Sequence, residues 1–103
     1  MTDDYILTSA AEADVRQIVR YTRQQWGEEQ VRTYMAKLDR GLSLLAAGRG
    51  QFKELSELAP PLRMTRCEHH YLFCLPRPDE PALIVAILHE RSDLMVRLAD
   101  RLK

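Results

Sequence analysis

Two polar clusters carry the residues best suited to chemistry. Glu68-His69-His70 precedes the apolar run Tyr71 to Leu75, and His89-Glu90-Arg91-Ser92-Asp93 follows the aliphatic run Leu83 to Leu88. Imidazoles and carboxylates exchange protons near neutral pH. Arg63, Arg66 and Arg91 supply planar cations that match phosphate oxygens. Such a set suits attack on a phosphodiester, with an acid or base near a 2′-hydroxyl and cations over the scissile phosphate. Each residue also has a plainer use. His69 and His70 fall where two strands turn, one facing solvent and one packing on the sheet. His89 ends a buried strand and can be held by a nearby carboxylate or carbonyl. Glu90, Arg91 and Asp93 can form surface ion pairs, which are worth little. The cysteines make no metal-ligand spacing with the histidines, so neither metal nor cofactor is expected.

These clusters are placed by a three-stranded antiparallel meander. Arg63 to Cys67 alternates polar and apolar, as a strand with one wet face does. Tyr71 to Leu75 is stopped by Pro76, which has no amide proton for a ladder. Leu83 to Leu88 is aliphatic throughout, as in a strand buried on both faces, and Arg77 to Pro81 is a proline-rich turn. Upstream, Tyr5 to Thr8 reads as a short strand. Ser9 to Glu12 fits a capping box opening a helix with Ala11, Val15, Ile18, Thr22 and Trp26 on one face. That places Trp26 at the end of the core. A second helix from about Glu28 to Ala47 carries the stripe Val31, Tyr34, Leu38, Leu42 and Leu45, and Gly48-Arg49-Gly50 stops it. Because Gly27 alone separates the two helices, they form an antiparallel hairpin whose apolar stripes must cover the sheet. Gln51 to Pro61 reads as a surface connection anchored by Phe52, Leu55 and Leu58. Ser92-Asp93 can cap a last short helix, Leu94 to Leu102. The fold class is α+β.

At 103 residues the chain is one domain, able to bury roughly two-thirds of its unfolded surface. Fifteen acidic residues balance fifteen basic ones, so the global basicity of a general nucleic-acid binder is missing and no sequence-specific nucleic-acid contact is expected. No apolar stretch approaches the roughly 20 residues that span a bilayer. The acidic opening MTDDY is unlike a secretory signal, and the expected address is the cytoplasm. Cys67 and Cys74 are then expected to be free core thiols.

The phrases YILTSAAEADVRQIVRYTRQQWGEEQVRTYMAKLDRGLSLLA, RMTRCEHHYLFCLP and ALIVAILHERSDLMVRLADRL, in this order, resemble the helical hairpin and terminal strands of ParE toxins in the RelE/ParE superfamily. The resemblance covers essentially the whole chain and is closest to plasmid ParD–ParE addiction systems. It implies a toxin that poisons DNA gyrase, blocks replication and is held inactive by the antitoxin ParD. The superfamily also contains ribosome-dependent messenger-RNA endonucleases of RelE type. This chain lacks the dense cationic surface that ribosomal docking demands, and no tyrosine follows Tyr71, where such ribonucleases carry a terminal one.

On the gyrase-poison reading, the toxin acts by favouring one state of its target and performs no chemistry itself. The expected gyrase contacts are Arg63, Arg66, Glu68, His69, His70, Arg91, Arg97 and Arg101, chosen for charge and surface placement. For the antitoxin, a disordered tail folding as an amphipathic helix is expected in an apolar groove. Leu94, Met95 and Leu98 on the last helix, or Tyr34 and Leu38 on the hairpin, are its expected lining. The ridge Arg16, Arg20 and Arg23 is either a solvated face or a dock for an acidic antitoxin segment.

Overall fold

The computed structural model describes residues 5–58 and 60–103, so the acidic opening before Tyr5 lies outside the described residues. In chain order the elements are β1 (Tyr5–Leu7), α1 (Ser9–Trp26), α2 (Glu28–Ala46), β2 (Lys53–Leu55), β3 (Leu62–Cys67), β4 (His70–Leu75), β5 (Ala82–His89) and α3 (Leu94–Arg101). One five-stranded sheet has the order β1-β5-β4-β3-β2. The meander β3-β4-β5 is antiparallel as expected, β2 adds antiparallel to β3, and β1 runs parallel to β5. The sheet is therefore mixed.

Alternation along the strands separates two cores. Leu72, Cys74, Ile84 and Ile87 meet Ala11, Ile18, Leu38, Leu42 and Leu45 of the helical hairpin. Phe73, Val85 and Leu88 face the other way and meet Leu98 of α3 with Leu55 and Leu62. That two-sided burial is what the unbroken aliphatic run of β5 requires. Gly41 lets α2 lie close to the sheet, because a Cβ there would stand 3.2 Å from Leu72 Cδ1. The helix stops on Gly48 and Gly50, which both take left-handed backbone (φ 70° and 76°) that other residues rarely adopt.

Four local expectations are corrected. The α1 cap is Thr8, one residue earlier than Ser9: its Oγ1 accepts from Ala11 N at 3.1 Å. Alanine at that third helical position cannot return a bond, so no reciprocal box forms. Asp93 stands at the α3 N-cap without a side-chain bond, and the Ser92 hydroxyl donates to the His89 carbonyl instead. The connection after α2 contains a strand, β2, whose Leu55 is buried while Phe52 and Leu58 pack at the core margins. Trp26 is 71% exposed. The chain reverses immediately after it at Gly27 (φ 91°), so the indole projects from the hairpin tip.

Candidate functional site

A two-residue turn brings the histidines together. Cys67 pairs with His70, leaving Glu68 and His69 at the bend, and Glu68 takes a left-handed φ of 55°. His70 pairs in register with His89, and the His69 carbonyl accepts from Glu90 N at 2.8 Å. All three imidazoles thus gather at one end of the sheet. The His70 and His89 rings meet edge to face at 5.2 Å, and those of His69 and His89 stack at 6.4 Å.

The polar groups there are bonded to one another. Arg66 ion-pairs with Glu90, donates from Nε to the Glu68 carbonyl at 2.9 Å, and lies over the Tyr71 ring. His69 Nδ1 is 2.9 Å from the other Glu90 oxygen. The hydrogen bond from His69, aided by the charge of Arg66, holds the Glu90 carboxyl below its ordinary range. Glu68 sends its carboxylate to Lys37 at 3.4 Å, and His89 Nδ1 accepts from Arg91 N at 3.1 Å. On the hairpin side, His70 Nδ1 lies 2.7 Å from the Tyr34 hydroxyl, which also reaches the Cys67 carbonyl at 3.3 Å. Burial first, then the neighbouring His89 and His69, push the His70 imidazole down to about 4. Burial raises Tyr34 and Cys67 and lifts Cys74 to about 11, so the two free thiols stay protonated and poorly nucleophilic. Among the described residues no group of three or more His, Cys, Asp or Glu is placed to hold a metal.

Arg66, Glu68 and His89 therefore direct their side chains to separate partners. A shallow hollow of about 200 Å³ between the end of α2 and β3 includes Arg66, with Arg49, Thr65 and Gly41, but neither Glu68 nor His89 lines it. Two other arginines expected at the surface serve the fold. Arg63 donates from Nη1 to the Leu45 and Ala46 carbonyls, both at 3.1 Å, and lies over Phe52. It gives α2 the C-terminal cation that its own last turn lacks. Arg101 grips Asp14 through two bonds of 2.8 Å and also reaches the Val85 carbonyl. Sequence reasoning passed over Asp14 altogether. A carboxylate between Ala11 and Ile18 on an apolar helical stripe is a legible signal, because a buried charge needs a partner.

Arg91 and Arg97 are exposed, and their side chains make no ion pair among the described residues. On the hairpin, Arg16 and Arg20 are likewise exposed and unpaired among the described residues, whereas Arg23 binds Glu28. Leu38 and Leu98 are buried and support the surface from beneath. Tyr34 is half-buried against His70, and Leu94 is half-buried at the margin of the α3 core. Met95 and Val96 stand 55% and 60% exposed on α3.

The structure is thus a helical hairpin laid on a small sheet, with mutually bonded polar groups at one sheet end and an exposed apolar edge on the last helix. The chain belongs to the ParE toxin family of type II toxin–antitoxin systems, parDE, whose pattern matches residues 5–94. It is 71% identical to Toxin ParE of Escherichia coli over 99 residues, 96% of either chain. It is 28% identical to Toxin ParE1 from two strains of Mycobacterium tuberculosis over 94 residues, 91% of this chain and 96% of theirs.

Proposed function

We propose that this ParE toxin acts by occupying DNA gyrase, stabilising the state in which cleaved DNA stays attached to the enzyme, and that a ParD antitoxin neutralises it in the cytoplasm. The observation that carries the non-enzymatic reading is the mutual bonding of the polar groups: Glu90 with Arg66 and His69, Glu68 with Lys37, and His70 with Tyr34. A general acid or base must reach substrate protons and a cation must reach phosphate. Here those groups bond one another along an exposed rim of the sheet end, which suits a rigid binding surface. Arg66, Glu68, His69, Arg91 and Arg97 offer exposed charge for the gyrase contact. Arg63 and Arg101 contribute by fixing α2 and α3.

For the antitoxin, Met95 and Val96 beside half-buried Leu94 offer apolar area, and Arg91 and Arg97 flank it with positive charge. An amphipathic segment with acidic residues beside its apolar stripe fits that surface. On the hairpin, Leu38 is buried and Tyr34 is bonded to His70, so that alternative lining offers less free apolar area. Val96→Glu is expected to weaken antitoxin capture at least tenfold while the free protein stays folded.

The ribonuclease reading keeps one favourable observation, the three imidazoles gathered beside Arg66. Purified protein added to gyrase and relaxed plasmid DNA separates the two. Lost supercoiling with trapped cleavage complexes supports the gyrase poison. Intact supercoiling together with messenger cleavage on purified ribosomes supports the ribonuclease.

A further inference from the structure

The sheet has an edge that ends early. β1 accompanies β5 only from Ala82 to Ile84, and Thr8 N adds a last bond to the Ile84 carbonyl at 3.1 Å. β5 continues to His89, so among the described residues its stretch from Val85 onward has no strand on that side. Two side chains stand where the next strand would be. Asp14 Oδ2 accepts the Ile87 N–H at 2.9 Å, and Arg101 Nη1 donates to the Val85 carbonyl at 3.0 Å. The two close on each other with the paired 2.8 Å bonds, and both are largely buried, at 11% and 18% side-chain exposure.

Burying such a pair is not an efficient source of stability, since desolvating both charges offsets most of their attraction. Its position points to another role. Exposed strand edges are templates for pairing with further chains, and folded proteins blunt them with charge or cover. The two outward groups here are a donor at Ile87 and an acceptor at Val85, flanking Ala86. Two copies of this edge, antiparallel about a twofold axis at Ala86, satisfy each other: each Ile87 N–H meets the other copy's Val85 carbonyl, the pattern around a non-hydrogen-bonded antiparallel pair.

We propose that the Asp14–Arg101 pair is an edge guard: it occupies the pairing groups of β5 and so prevents strand addition by a second copy of this chain. The guard depends on the docking of α3. That helix has eight residues and buries Leu98 alone among them, and a helix so short is marginal without tertiary support. Release of its last turn frees the Val85 carbonyl and leaves Asp14, on α1 and without its cation, as the cover of the Ile87 N–H.

The full-length protein and its Arg101→Ala variant are compared by sedimentation across a hundredfold concentration range, with amide exchange followed at Ile87. The variant is expected to associate at least tenfold more tightly than wild type. Its Ile87 amide, still bonded to a now unpaired Asp14, is expected to exchange faster than in wild type when dilute and to gain protection when concentrated. Asp14→Asn is the second variant: its amide oxygen still accepts from Ile87, but it cannot hold the guanidinium. It should associate less than Arg101→Ala and more than wild type. Folded variants no more associated than wild type overturn the proposal. So does association that leaves Ile87 equally open at every concentration, or loss of fold in both variants, which makes the pair a structural staple only.

Discussion

The Tyr34 hydroxyl and His70 Nδ1 stand 2.7 Å apart, joining the helical hairpin to the turn end of the sheet. The contact is fully satisfied when neutral His70 donates to Tyr34 and Tyr34 donates on to the Cys67 carbonyl. A protonated His70 would stand edge to face with His89, and burial already holds the ring down to about 4 against an ordinary 6.5. Between those values the unfolded chain binds more protons than the folded one. This group therefore leaves stability unimpaired above pH 6.5 and lowers it as the pH falls toward 4. For a half-buried ring, discounted for solvent, the loss is about 1–2 kcal/mol. Urea midpoints at pH 7 and pH 5 measure it, and His70→Gln should flatten the difference.

Glu90 acts in a separate window. Its folded value is held below 4.5, so its contribution is present above 4.5 and lost as the pH falls through the lower folded value. Glu90→Gln should reduce the further loss below pH 4.5 and, by removing a charge that favours protonated His70, alter the slope between pH 7 and pH 5 only slightly.

Arg63 should be among the more sensitive surface-facing arginines. Arg63→Met keeps the stem over Phe52 but leaves the Leu45 and Ala46 carbonyls without their charged donor. The expected cost is about 1–3 kcal/mol, read as a lower Tm. Lysine should recover part of that, since it restores charge but not the planar fork.

Gly41 separates helix propensity from packing. Gly41→Ala gains about 1 kcal/mol of intrinsic helix preference and meets a mobile methyl of Leu72 at 3.2 Å. The sum should lie within about 0.5 kcal/mol of zero. Gly41→Val must displace Leu72 and Cys67, and should cost about 2–3 kcal/mol by chemical denaturation.

Trp26, the single tryptophan, provides a clean optical test. An indole 71% exposed should emit at the red end of the tryptophan range and be readily quenched by iodide. Trp26→Ala should change stability by less than about 0.5 kcal/mol. Blue emission with weak quenching would place the ring in the core after all.

The hairpin and the meander were legible because their patterns are long. Eighteen and nineteen residues at helical spacing leave little ambiguity, and β5 is apolar almost throughout. β2 escaped because Lys53-Glu54-Leu55 is too short to show a period. The direction of β1 beside β5 is a property of topology, which no local pattern encodes. Trp26 was misplaced because helical spacing continued the apolar stripe past the point where the chain turns away. The histidine cluster could be anticipated from the strand ends, but the individual partners could not. Asp14 could be marked as a buried charge from its place on the apolar stripe, but Arg101 reaches it across 87 residues, and no local pattern names that partner.

The most direct test of action by occupancy is a titration of the protein against a fixed amount of gyrase, scoring trapped cleavage complexes at each ratio. A stoichiometric ligand predicts complexes that rise with the toxin and saturate near one toxin per binding site, with the His89→Ala variant, outside the proposed contact set, trapping within a few-fold of wild type. Action by far less than one toxin per gyrase, abolished by His89→Ala, would contradict the account.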